Sequence, residues 1–127
     1  MKFKLKIFIF IILLISLIGC SNANIKYQTI SPDNAYNELK EDKSIIILDV
    51  RTYEEYISGH ILGSILLPLD EMNETVLSVV TNKNIKIFVY CRSGNRSKIA
   101  AKELIELGYT NVYDLGGIVN WPYDIVK

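Results

Sequence analysis

The sequence predicts an α/β fold of three α/β/α layers around a central, mostly parallel five-stranded sheet. Three observations predict it. Short apolar runs alternate along the chain with helically spaced segments, which is the pattern of parallel strands joined by crossover helices. The run Ile45, Ile46, Ile47, Leu48 is continuous rather than alternating, as expected of a strand buried on both faces. The chain of 127 residues, half of them hydrophobic, suffices for one core and no more.

Each element has a local reason. Ile25 to Ile30 reads as a first strand. Ser31 and Pro32 form an N-cap and first-turn pair for a helix to about Lys40, with Ala35, Tyr36 and Leu39 on its inner side. The second strand runs from Ser44 to Val50. Thr52 followed by Glu55 fits a capping box, so a short helix follows to about Ser58, and Gly59 ends it. Gly59 to Ser64 reads as a glycine-punctuated loop into a short strand from about Ser64 to Leu67, closed by Pro68. Leu69 to about Thr81 has helical spacing through Leu69, Met72, Val76, Leu77 and Val80. A fourth strand spans Ile85 to Tyr90 and delivers Cys91. The next helix, about Asn95 to Leu107, carries Ile99, Ala100, Leu104, Ile105 and Leu107 inward and stops at Gly108. Val112 to Leu115 is the last strand, after which Gly116 and Gly117 turn the chain into a segment bearing Trp121, Pro122 and Tyr123.

The start of the chain is of another kind. Lys2, Lys4 and Lys6 precede Ile7 to Ile18, which is apolar apart from Ser16. At about 1.5 Å per residue that stretch reaches roughly 18 Å, too short for a bilayer core of about 30 Å, and it reads as the apolar region of a signal peptide. Leu17-Ile18-Gly19-Cys20 resembles the lipobox of a bacterial lipoprotein signal. That resemblance implies cleavage before Cys20, lipid on its sulfur, and anchoring on the extracytoplasmic face of a membrane in the bacterial cell envelope. An ordinary cleavage site at Ser21 to Ala23 and an uncleaved anchor are the competing readings. On the lipoprotein reading residues 1–19 are the signal, 20–24 a lipidated end and short tether, and 25–127 the domain. Losing the three lysines from a chain with 14 basic and 14 acidic residues leaves it slightly acidic, which gives no support for nucleic-acid binding. With Cys20 alkylated, Cys91 is the one free thiol and no internal disulfide can form.

The chemistry gathers at Cys91. A thiolate attacks and a thiol hardly does, so a reactive cysteine needs surroundings that stabilise its anion. Here the N–H groups of Arg92, Ser93, Gly94, Asn95, Arg96 and Ser97 can curl around the sulfur, a helix begins with its positive end toward it, and Arg92 and Arg96 add cations. Gly94 permits the tight turn. Cys91-Arg92-Ser93-Gly94-Asn95-Arg96-Ser97 is similar to the active loop of the rhodanese family of sulfurtransferases. Asp49-Val50-Arg51, the turn Gly59-His60-Ile61-Leu62-Gly63-Ser64, and Gly116-Gly117 with Trp121 match other family signatures, although Leu62 and Ser64 replace the usual Pro and Ala.

The resemblance implies a rhodanese-like fold and a thiosulfate sulfurtransferase. Cys91 would be catalytic, passing sulfur from a small anionic donor to a thiol or cyanide-like acceptor, with a protein acceptor also possible. Arg92 and Arg96 would orient the donor and the loop N–H groups would hold the sulfur anion, with no metal or organic cofactor required. A related branch that cleaves phosphate esters or reduces arsenate has one residue more between cysteine and arginine than the four found here. A persulfide-binding relay module is the other alternative. Asp49 and Arg51 are expected to be mainly structural, with Arg51 near Glu55 or loop carbonyls. His60, the sole histidine, is expected to tie down its glycine turn rather than act as a base. Trp121, Tyr123, Tyr53 and Tyr56 are read as packing or surface residues.

Overall fold

A computed structural model describes residues 24–127. The expected signal segment and Cys20 lie outside them. Within that range the elements are β1 (Gln28–Thr29), α1 (Pro32–Glu41), β2 (Ile46–Asp49), α2 (Tyr53–Ser58), β3 (His60–Ile61), β4 (Ile65–Leu66), α3 (Met72–Val79), β5 (Ile87–Cys91), α4 (Asn95–Glu106), β6 (Val112–Gly117) and β7 (Ile125–Val126). Single 3-10 turns occupy Leu69–Glu71 and Ile118–Asn120. No helix among the described residues is long and apolar enough to cross a membrane.

The five-stranded sheet has the order β1-β6-β5-β2-β4, and every pairing in it is parallel. Alternation along β5, its middle strand, divides the core into two. Ile87, Val89 and Cys91 face the cluster built with Met72, Val76 and Val80 of the α3 region and Ala100, Ala101 and Leu104 of α4. Phe88 and Tyr90 face the other cluster, with Ala35 of α1, Ile45, Ile47, Ile61 and Leu115. All five residues of β5 are buried, as a central parallel strand covered on both sides requires. Burying each large side chain there contributes about 1.5–3 kcal/mol.

The caps form as their residue types dictate. Ser31 Oγ accepts from the Asn34 N–H at 3.2 Å with Pro32 opening α1. At α2 the Thr52 and Glu55 box is complete in both directions.

Four expectations need correction. The first strand shrinks to Gln28–Thr29 because it is an edge strand bonded only to β6, and Ile25 stays 45% exposed. Ile99 and Leu77 are exposed rather than buried, because the inner faces of their helices follow the rows Ser97, Ala100, Ala101, Leu104 and Met72, Val76. The Leu69–Thr81 helix begins as a 3-10 turn and ends at Val79. The Gly59–Ser64 loop contains β3, which pairs antiparallel with β7, His60 opposite Val126 and Ile61 opposite Ile125. Neither strand carries a pattern long enough to show itself, and their partnership spans more than sixty residues of chain.

Candidate active site

Strand β5 ends at Cys91, which is 1% exposed, and the chain turns at once into α4. Gly94, with φ +103°, takes the left-handed conformation that starts the helix. Its N–H donates to Cys91 Sγ at 3.0 Å and the Ser97 N–H at 3.4 Å, so the sulfur sits over the first turn of a helix. Ser97, fully buried, closes the turn by donating from Oγ to the Gly94 carbonyl at 3.1 Å.

The end of β6 supports the loop from beneath. A bulge shifts its register, so that Val89 faces Asp114 but Tyr90 faces Gly116, and Cys91 pairs with Gly117. Gly117 has no room for a side chain: a Cβ there would lie 2.3 Å from the Arg92 carbonyl oxygen. That carbonyl also accepts from the Val119 N–H at 3.3 Å.

A second hydrogen-bonded group lies beside the end of β5, on the β2 side, where Asp49 pairs with Tyr90. The Asp49 carboxylate, fully buried, receives the Arg51 N–H, the Arg51 guanidinium at 2.7–3.1 Å and the Tyr90 hydroxyl at 2.7 Å. Burial pushes the Tyr90 hydroxyl well above the ordinary tyrosine range, so it stays protonated and donates to Asp49. The same oxygen accepts from the Ile61 N–H and lies 3.0 Å from Ser64 Oγ. Arg51 does not pair with Glu55. Its Nη2 donates instead to the Gly59 carbonyl at 2.7 Å, because the rigid turn from Asp49 to Arg51 aims the guanidinium back under that glycine. His60 stacks on Tyr56 with ring centroids 3.8 Å apart, and its Nδ1 lies 2.9 Å from the Tyr56 carbonyl. Asp49, Arg51 and His60 thus join β2, α2 and β3 into one scaffold.

Among the expected donor-binding groups, Arg92, Ser93 and Asn95 are exposed at the loop surface. Arg96 is not free. Its Nη1 and Nη2 bind Glu55 Oε1 and Oε2 at 2.7 and 2.9 Å, and the hydrogen bond from Arg96 is the main reason the Glu55 carboxyl is lowered to about 2. Sequence reasoning saw Glu55 as a capping residue and as a neighbour for Arg51; its actual partner, Arg96, forty-one positions away, leaves no local signal. Tyr90, read as one more strand residue, was missed in the same way. Among the described residues no cluster of three or more His, Cys, Asp or Glu side chains could hold a metal. A cavity of about 630 Å³ between α1 and the C-terminal segment includes no residue of the 91–97 loop.

The model of the rhodanese-like domain matches residues 31–123. The chain belongs to the rhodanese-like family. The thiosulfate sulfurtransferase PspE of Escherichia coli is 41% identical over 80 residues, spanning 63% of this chain and 77% of that protein. The thiosulfate sulfurtransferase GlpE of Coxiella burnetii is 34% identical over 96 residues, spanning 75% and 87%. The crystal structure of a rhodanese-related protein from Thermoplasma volcanium superposes with a TM-score of 0.69 at 34% identity, covering 79% of this chain and 98% of that one. The parallel five-stranded sheet with its flanking helices is thus the rhodanese fold, and at the level of the family the activity is sulfur transfer.

Proposed function

We propose that this protein is a thiosulfate-type sulfurtransferase working through a Cys91 persulfide. One observation carries the reading: a single buried sulfur receives two backbone N–H groups at the start of α4, a cup that can hold an anion on sulfur without a metal or organic cofactor. The Cys91 thiolate attacks the outer sulfur of thiosulfate. A new S–S bond forms, the old one breaks, and sulfite departs with the bonding pair, leaving Cys91 as the persulfide anion. A thiolate or cyanide then attacks the terminal sulfur and Cys91 leaves as thiolate. This double displacement gives ping-pong kinetics. Arg92, exposed on the loop, guides the anionic donor, and the rest of the binding falls to the loop N–H groups.

The test is to incubate the protein with thiosulfate and weigh it. A gain of one sulfur atom on Cys91, released as thiocyanate by cyanide, is expected. The Cys91→Ser protein should gain none while keeping its dichroism spectrum. Hydrolysis of an aryl phosphate in place of sulfur uptake would overturn the reading in favour of the phosphatase branch.

We further propose that the domain is held at the extracytoplasmic face of a membrane by lipid on Cys20. The support is the Leu17-Ile18-Gly19-Cys20 pattern after an apolar stretch. Cells expressing the full chain should incorporate labelled fatty acid into it, and Cys20→Ser should abolish the label and move the protein out of the membrane fraction. An unlabelled wild-type protein would sink the anchor.

A further inference from the structure

A guanidinium at the start of α4 is the natural counter-ion for an anionic sulfur donor, yet the fork of Arg96 is already filled. Its two terminal nitrogens meet the two oxygens of Glu55 in a parallel pair at 2.7 and 2.9 Å, the geometry in which a guanidinium and a carboxylate fit best. An oxyanion seeking the same edge of Arg96 must compete with a carboxylate that is covalently held in place.

Glu55 cannot simply swing aside. The Glu55 N–H donates to Thr52 Oγ1 at 3.2 Å, while Oε1 accepts from the Thr52 N–H at 3.4 Å and from its hydroxyl at 3.3 Å. One carboxylate therefore serves two elements, capping α2 and holding the first turn of α4. The side chains are 27% exposed for Glu55 and 34% for Arg96, so the pair is partly shielded from water and salt.

We infer that Glu55 is a positioning residue that sets the donor-charge preference of the site, holding Arg96 in a neutral pair so that donors are met by the loop N–H groups and Arg92. The inference rests on the sulfurtransferase reading. Its consequence is a site that favours a dianion such as thiosulfate over a monoanion such as an alkyl thiosulfonate less strongly than a free Arg96 would. Both donors present an outer sulfur to Cys91, and they differ in charge and in the group that leaves, sulfite or a sulfinate.

The substitution Glu55→Gln separates the two jobs, since glutamine also serves at the third position of a capping box but carries no charge. Binding is measured by calorimetry in the Cys91→Ser protein, where no turnover intervenes, with thiosulfate and methanethiosulfonate as probes. Freeing Arg96 should tighten thiosulfate binding about five-fold and methanethiosulfonate binding about two-fold or less. Glu55→Asp, which keeps the charge, should stay close to the parent ratio. The double variant Glu55→Gln/Arg96→Gln should restore the parent ratio, which assigns the change to the freed Arg96, and Glu55→Ala, which frees Arg96 in the same way, takes the place of Glu55→Gln if that variant is poorly folded. An unchanged ratio in Glu55→Gln, equal tightening of both donors, or no thiosulfate binding to any variant would overturn the inference. The outcome is distinguishable from failure of the sulfurtransferase reading: a Cys91 protein that turns over neither donor removes that reading, while the titrations still report on Arg96.

Discussion

Glu55 shows how much one side chain can couple. Its carboxyl is lowered from the usual 4.5 to about 2, first by the hydrogen bond from Arg96, with burial opposing and Thr52 adding to the lowering. A carboxyl depressed in the folded state stabilises the protein above its ordinary value, and that contribution is lost as pH falls toward the depressed one. The wild-type protein should therefore lose stability between about pH 4.5 and pH 2 more steeply than Glu55→Gln does. Thermal melts of the two proteins across that window check the point; parallel curves would show that the pair contributes nothing. At neutral pH the difference should be about 1 kcal/mol or less, since both side chains are about a third exposed or slightly less. Tyr90 and Asp49 work differently: they are buried, and their value lies in leaving no polar group of the scaffold unpaired.

At the level of elements, the decisive contact is between the end of β6 and the Cys91 loop. Gly116 takes φ +85° at the bulge and donates its N–H to Asp114 Oδ1, which turns β6 so that Gly117 passes directly under Arg92 and Ser93. Gly117→Ala should therefore push the loop upward. The overpacking costs about 1–3 kcal/mol, and displacement of the N–H groups around Cys91 should lower kcat/KM on the order of 100-fold. A melt and a thiocyanate assay check both; a variant with normal turnover would show that the loop holds its shape without β6. The strand–loop–helix unit around Cys91 was legible in sequence because every step is local: an apolar run, a glycine where φ must be positive, then helical spacing. The β3–β7 ribbon was not, because two-residue strands are too short for a periodicity and their pairing joins chain segments far apart.

Across the whole molecule, β5 is shared by two cores, one toward α3 and α4 and the other toward α1 and the C-terminal segment. Neither can open without exposing that strand, so unfolding should be a single cooperative transition. Trp121, the only tryptophan, packs against the second core and reports on it alone. Its fluorescence and far-UV dichroism should give the same denaturant midpoint, whereas an earlier fluorescence midpoint would show the C-terminal segment opening by itself.

The sequence by itself determined the α/β class, a mostly parallel sheet of five strands, the capped helices and the placing of a lone thiol at the end of a strand before a helix. Those features depend on residue types a few positions apart, and local sterics and hydrogen bonding decide them. Only the tertiary structure decided which partner each charge takes. Arg51 turns to Asp49 and Gly59 while Arg96 takes Glu55, because pairing depends on distances that exist once the sheet has brought β2, α2 and α4 to the same edge.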